Sequence, residues 1–225
     1  MDAKRIAAEY AADTVENNML VGLGTGSTAY WAIARLAERV REGLQIQAIA
    51  TSQTSEEQAR QSGIPLMTFA ELGNRQLDVT IDGADEANLD FQLIKGGGGA
   101  LLREKIVAAA SKRMIVVVDS SKLVDVLGKF PLPVEIVPFG AEQTIRHLRE
   151  LGALPKLRLN EHGPFLTDNG NYIVDCAFSE IVNPSRLSDL LNAIPGVVEN
   201  GLFVGMADAI VAGYPDGRVE YKLRG

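Results

Sequence analysis

Cysteine is almost missing from this sequence: Cys176 stands alone among 225 residues, so no disulfide can close within the chain and no multi-cysteine zinc site can form. A reducing compartment, the cytoplasm, is the expectation that follows. Histidine is nearly as scarce. His147 and His162 are the only two, neither has a second ligand at metal spacing beside it, and both are expected on the surface or in loops. No apolar run exceeds strand length, which leaves no candidate membrane-spanning helix, and MDAKRIAAEYAADTV reads as an amphipathic helix rather than a signal peptide. Positive charge is in deficit too: 22 Lys and Arg face 29 Asp and Glu, for a net charge of −7. Duplex binding relies on clustered cations that neutralise phosphates, so nucleic acid is an unsuitable partner. A small anion remains open, because a few converging donors are enough to hold one.

What the chain has in quantity is aliphatic residues, with 46% hydrophobic against 6% aromatic. At this length one large domain or two small ones can bury a substantial core. Residues 3–16 pattern as a helix, 20–24 (LVGLG) as a strand entering a tight turn, and 27–42 as a helix. A strand at 45–52, a short helix at 54–63, and strands at 65–69 and 77–85 follow. Then come a helix after KGGGG and a strand at 113–121. Strands alternating with helices imply a parallel sheet covered on both faces. Three prolines in FPLPVEIVPFG (130–140) suggest a domain junction. Beyond it the order is strand (132–138), helix (141–151), strand (156–160), strand (171–177), helix (185–194), strand (197–204), the split βαβ arrangement. TDNGNY (167–172) supplies a turn between the middle strands, and a last hairpin, ADAIVAG with RVEYKL, returns to the first domain. The expected fold is α/β, a Rossmann-like parallel sheet domain (1–129 and 204–225) with a smaller ferredoxin-like α+β domain (130–203) suited to oligomerisation.

In an open parallel sheet the loops beyond the strands' carboxyl ends converge, and helix N-termini point unpaired N–H groups there. Those ends carry GTGST (24–28), TSQT (51–54), DGADE (82–86) and DSSK (119–122). GLGTGSTA has two readings besides a plain tight turn with Ser27 as N-cap. It matches G-x-G-x-x-A, a dinucleotide fingerprint, but the second strand ends in Thr51 and Ser52 where that fingerprint expects an acid. As an anion cradle it suits a monophosphate, with backbone N–H groups exposed by glycine and hydroxyls from Ser27 and Thr28. Asp82 and Asp85 form a carboxylate pair on a turn, a pairing that suits acid–base work. A magnesium ion on that turn is the competing reading, disfavoured by Lys95 nearby. Lys95 opens a run of four glycines, costly in entropy unless the loop must approach a ligand closely. Glu104 follows in the first turns of the next helix, where the macrodipole already favours a glutamate; beside the glycine loop it is also a candidate base. Lys122 closes DSSK as a candidate phosphate or oxyanion contact, and Lys4 is a more distant one.

Taken together, GLGTGSTA, ATSQTS, DVTIDGADEAN, LIKGGGGALLREKIVA, VVVDSSKLVDVLGKFPLPVEI, TDNGNYIVD and AIPGVVENGLF resemble the type A ribose-5-phosphate isomerases along nearly the whole chain. The resemblance implies interconversion of ribose 5-phosphate and ribulose 5-phosphate, without metal or cofactor, in the non-oxidative pentose phosphate pathway and the Calvin cycle. It implies Glu104 as the proton-transfer base, with Asp82, Asp85 and Lys95 also catalytic. Substrate contacts would come from Thr25, Gly26, Ser27 and Thr28, from the turn Asp82, Gly83, Ala84 and Asp85, from Lys95, Gly96, Gly97 and Gly98, and from Lys122 and Lys4. It further implies a homodimer or homotetramer. A phosphosugar deaminase or lactonase is the alternative enzyme, and a phosphosugar-sensing module the alternative without catalysis; product analysis and an isomerase assay separate them.

Overall fold

Asp2 starts the first helix by accepting hydrogen bonds from the backbone N–H groups of Lys4 and Arg5, two donors that the helix itself cannot satisfy. The structure is a computed structural model and describes residues 2–225. Along the chain lie α1 (Ala3–Asp13), β1 (Leu20–Leu23), α2 (Ala29–Arg41), β2 (Gln47–Ala50), α3 (Gln53–Gln61), α4 (Phe69–Leu72) and β3 (Val79–Gly83). There follow β4 (Glu86–Ala87), β5 (Leu93–Ile94), α5 (Leu101–Ala109), β6 (Met114–Asp119), a 3-10 turn (Ser120–Lys122) and β7 (Leu132–Ile136). Next come α6 (Ala141–Glu150), β8 (Leu154–Leu157), β9 (Leu159–Asn160), β10 (Gly163–Pro164) and β11 (Tyr172–Ala177). The chain finishes with α7 (Pro184–Asn192), β12 (Val197–Asn200), β13 (Leu202–Phe203), β14 (Ala209–Gly213) and β15 (Val219–Leu223). Among the described residues no helix is long and apolar enough to cross a membrane.

Two compact units emerge. The first comprises the chain through Ala84, Arg103–Leu123 and Met206–Gly225. Its six-stranded sheet has the order β15-β14-β6-β3-β1-β2, parallel except for the antiparallel edge strand β15. Because β2 lies on one side of β1 and β3 on the other, the strand order reverses at β1, the place where such sheets open a crevice at their carboxyl ends. Its core is aliphatic: Val21, Leu23, Ile33, Leu36, Ile81, Ile115, Val117 and Val211 pack with the alanines of α1. Alanine keeps α1 close to the sheet. A Cβ on Gly213 would lie 1.9 Å from the Ala3 carbonyl oxygen, so only glycine fits at that approach.

The second unit is Asp85–Leu102 with Val124–Gly205. Its main sheet, β12-β7-β11-β8, is antiparallel throughout. With α6 and α7 between its outer strand pairs this is the ferredoxin-like arrangement expected from the element order. A second, three-stranded sheet joins β13, β5 and β4. Cys176 is fully buried in this unit's core, where burial pushes its thiol up to about 12. His147 and His162 are exposed.

Some boundaries differ from the sequence reading. Residues 85–102 and 124–129 group with the second unit instead of the first, because β5 pairs with β13, Val124 N–H donates to Ala87 O, and Glu86 accepts from the N–H groups of Gly128 and Phe130. The strand expected at 65–69 is reduced to one bridge between Ala48 and Leu66. A capping box between Thr68 and Glu71 turns the chain into α4 there. The strand expected at 156–160 breaks at Arg158, and that at 197–204 breaks at Gly201, where the chain passes from one sheet to the other. A Cβ on Gly201 would lie 2.2 Å from Lys95 O.

Candidate active site

At the carboxyl rim of the first unit's sheet, β1 ends against β3. Gly24 N–H donates to Ile81 O at 2.9 Å, and a Cβ on Gly24 would stand 2.2 Å from Asp82 Oδ1 and 2.5 Å from Asp82 Cα. Asp82 is fully buried. Its Oδ1 accepts from the N–H groups of Thr25 at 3.0 Å and Gly83 at 2.7 Å, so the carboxylate fixes the start of the 24–28 loop to its own strand. Charge-assisted bonds of this kind are stronger than neutral ones.

Behind the loop sits a cluster of hydroxyls. Thr25 Oγ1 lies 2.7 Å from both Thr51 Oγ1 and Ser52 Oγ and 3.1 Å from Ser55 Oγ. Thr51 Oγ1 donates to Leu23 O at 3.0 Å and Ser55 Oγ to Gly24 O at 2.7 Å. The cluster anchors the loop from inside, leaving its outer face to Gly26, Ser27 and Thr28. Thr28, not Ser27, holds the N-cap position of α2, and its side chain makes no cap bond. Ser27 Oγ instead accepts from Lys4 Nζ at 3.0 Å, which brings Lys4 to the expected phosphate loop. One strand further along the rim, β6 runs into the 3-10 turn with Lys122 half-buried at its end.

Glu104 occupies the first turn of α5 and is 4% exposed. Val107, three residues on and therefore on the same helix face, packs over the sheet, so that a Cβ on Gly22 would lie 2.7 Å from Val107 Cγ1 and 2.0 Å from Thr80 Oγ1.

The second unit holds the other predicted residues. Asp85 N–H donates to Ile94 O at 2.8 Å, and Asp85 Oδ2 accepts from Gly97 N–H at 2.7 Å. A Cβ on Gly97 would stand 2.5 Å from Asp85 Oδ1. Lys95 is 2% exposed, with its N–H on Gly201 O at 2.9 Å and its Nζ 5.3 Å from the centre of the Phe203 ring. Gly96 has φ of 105°. Gly97 and Gly98 are exposed.

The structure therefore places Lys4, Thr25–Thr28, Asp82, Gly83, Ala84, Glu104 and Lys122 in one unit and Asp85, Lys95 and Gly96–Gly98 in the other. Glu86, part of the DGADE motif, serves the scaffold: its two oxygens accept from Gly128 N at 2.7 Å and Phe130 N at 2.6 Å. Sequence reasoning missed Ser55, Arg158 and Phe165. Ser55 carried a signal, as the third residue after the cap Ser52. Arg158 and Phe165 belong to no motif and meet the glycine loop only through the fold.

The family model for Ribose 5-phosphate isomerase A (phosphoriboisomerase A) matches residues 47–217. The Ribose-5-phosphate isomerase A of Bacillus mycoides is 52% identical over 222 residues, covering 98% of this chain and 100% of that protein. Its namesake in Bacillus anthracis is 56% identical over 218 residues, 96% of this chain and 98% of that one. Among solved structures, ribose 5-phosphate isomerase A from Methanocaldococcus jannaschii aligns with a TM-score of 0.92 at 42% identity, over 98% of this chain and 97% of that chain. A D-ribose-5-phosphate isomerase in complex with phospho-erythronic acid aligns with a TM-score of 0.94 at 38% identity, over 100% of both chains.

Proposed function

The chain belongs to the ribose 5-phosphate isomerase A family, and from that premise we propose how its own residues interconvert D-ribose 5-phosphate and D-ribulose 5-phosphate, a step of the non-oxidative pentose phosphate pathway. The reaction moves a proton between C2 and C1 of the open-chain sugar. A carbon-bound proton beside a carbonyl is weakly acidic, so a base succeeds only where the charge that grows on oxygen is stabilised.

Glu104 takes the proton from C2 as the electron pair of that bond forms the C1–C2 double bond and the carbonyl pair moves onto the C1 oxygen. The same carboxyl then returns the proton to C1 as the C2 carbonyl forms. Asp82 and Asp85 carry protons between the sugar oxygens and assist opening of the ring. Lys95 and the Gly98 N–H stabilise the enediolate. Ser27, Thr28, Lys4 and Lys122 hold the phosphate, so that binding energy from the unreacting end of the substrate orients its reacting carbons.

The observation that supports this reading is the setting of Glu104: a glutamate nearly fully buried in the first turn of a helix, within the same unit as Asp82. Glu104→Gln keeps shape and hydrogen-bonding capacity but removes the base. It should lower kcat by about 10³-fold while phospho-erythronic acid still binds, as measured by a coupled isomerase assay and by calorimetry. A kcat within a few-fold of the parent would sink the assignment. Self-association belongs to the same proposal, because the second unit exposes Phe139, Leu154, Leu159 and Val182, apolar surface of a kind that copies of a chain cover in pairs. Sedimentation should give a dimer or tetramer at micromolar concentration; a monomer rejects it.

A further inference from the structure

Arg158 stands in the gap between β8 and β9, and both sides of its backbone are tied. Its N–H donates to Ile173 O at 2.8 Å, and its C=O accepts from Phe165 N–H at 2.9 Å. The side chain is 16% exposed and spends four of its five N–H donors on two targets. Nε donates to Asp175 Oδ2 at 3.0 Å and Nη2 to Asp175 Oδ1 at 2.5 Å, a two-pronged carboxylate pair that sets the plane of the guanidinium. Nη1 then donates to Gly96 O at 3.1 Å and to Gly97 O at 3.0 Å. Phe165 closes the same corner. Its ring centre is 5.7 Å from Arg158 Cζ, and a Cβ on Gly99 would lie 2.5 Å from two of its ring carbons.

The consequence for the loop follows from peptide geometry. A trans peptide is planar, so its N–H points opposite to its C=O, and no cis bond occurs among the described residues. Turning Gly96 C=O toward Arg158 turns Gly97 N–H away from it, and that N–H is the one Asp85 Oδ2 accepts at 2.7 Å. Turning Gly97 C=O the same way points Gly98 N–H to the side that Gly97 N–H faces. Four successive glycines have little intrinsic preference for this arrangement. Rotation of either peptide would present a carbonyl oxygen where a donor is needed, and would repel an anion.

We infer that Arg158, oriented by Asp175, is a positioning residue for the isomerisation: it locks two consecutive peptide units of the glycine loop so that Gly97 N–H holds the Asp85 carboxylate and Gly98 N–H is turned to the same side, toward the substrate's developing oxyanion. The inference rests on the proposed role of that loop in stabilising the enediolate. Its chemistry is specific to a planar fork, since a lysine ammonium cannot engage two carboxylate oxygens and two carbonyls in one plane.

Arg158→Ala should lower kcat by about 10²-fold, the order expected when a donor is displaced by roughly 1 Å, with KM for ribose 5-phosphate changed less than about threefold, because the phosphate contacts lie elsewhere. Millimolar guanidinium should restore at least about a tenth of parental kcat in a saturable manner, and methylammonium should not. A residue that serves folding alone would change the melting temperature and the active fraction without this split or this rescue. Should Arg158→Ala fail to fold, Arg158→Lys and Asp175→Asn carry the test: both should lower kcat by about tenfold at near-constant KM. An inactive parent protein refutes the isomerase reading itself. An active parent with kcat within threefold in the folded variants, or a folded Arg158→Ala that guanidinium leaves unchanged, overturns the role of Arg158.

Discussion

The 24–28 loop of the first unit and the 96–99 loop of the second solve the same local problem with different backing. In each, a glycine stands where a carboxylate occupies the space of a Cβ: Asp82 at 2.2 Å from the Cβ position of Gly24, and Asp85 at 2.5 Å from that of Gly97. Each carboxylate also accepts a backbone N–H of its loop, Thr25 for Asp82 and Gly97 for Asp85. The two aspartates of the DGAD turn thus order one glycine loop apiece. Behind the loops the resemblance ends. Neutral hydroxyls of Thr51, Ser52 and Ser55 back the first, and the charged Arg158–Asp175 pair backs the second. Hydroxyls can rotate to suit a neighbour, whereas a guanidinium fixed by a carboxylate imposes one geometry. Under the proposed function the first loop holds a phosphate that stays unchanged, and the second meets charge that appears only during the reaction.

The sharpest way to break this comparison is to fill the two Cβ positions. Gly24→Ala collides with Asp82 Cα as well as its carboxylate, and backbone cannot step aside. It should cost about 3 kcal/mol of stability and remove most activity, read by urea denaturation and initial rates. Gly97→Ala meets only the end of the Asp85 side chain, which can rotate. It should cost about 1 kcal/mol or less, yet depress kcat by disturbing the N–H that Asp85 orders. Equal stability losses would show that the two carboxylates are held alike, against this account.

A smaller effect should come from the opposite end of the first sheet, which touches neither loop. Hydrogen bonding from Lys112, then from Leu20 N–H, holds Asp78 below the usual carboxylate range. A depressed folded value contributes stability above the unfolded value, near 3.9 for aspartate, and loses it as pH falls through the folded value. Asp78→Asn should therefore be less stable than the parent at pH 7, with the gap closing as acid is added below about pH 4, and with kcat and KM unmoved. A gap that widens in acid, or a change in KM, would count against this placement of the group.

Much of the molecule was readable in its residues. The alternation of short apolar runs with helical patterns gave the parallel sheet, and the order beyond residue 130 gave the ferredoxin-like unit, because both depend on local periodicity. Asp82 and Lys95 were visible because each sits beside a glycine, which advertises a close approach, and Asp85 as the second carboxylate of the same turn. What could not be read depends on pairing between distant segments. Residues 85–102 belong with the second unit through the partnership of β5 with β13, more than a hundred residues apart in sequence. Arg158 looks like any surface arginine in KLRLN until the fold sets Gly96 and Gly97 before it. The missing strand at 65–69 is a different failure: Thr68 and Glu71 spell a capping box, a start signal for a helix that the apolar run concealed.

The central claim, that a carboxyl base carries a proton between C2 and C1, is tested most directly by following ribose 5-phosphate in D2O by NMR with the purified protein. The account predicts ribulose 5-phosphate carrying deuterium at C1 and recovered ribose 5-phosphate carrying deuterium at C2, with both signals absent for Glu104→Gln. Turnover and deuterium incorporation by Glu104→Gln at the parental rate would contradict it.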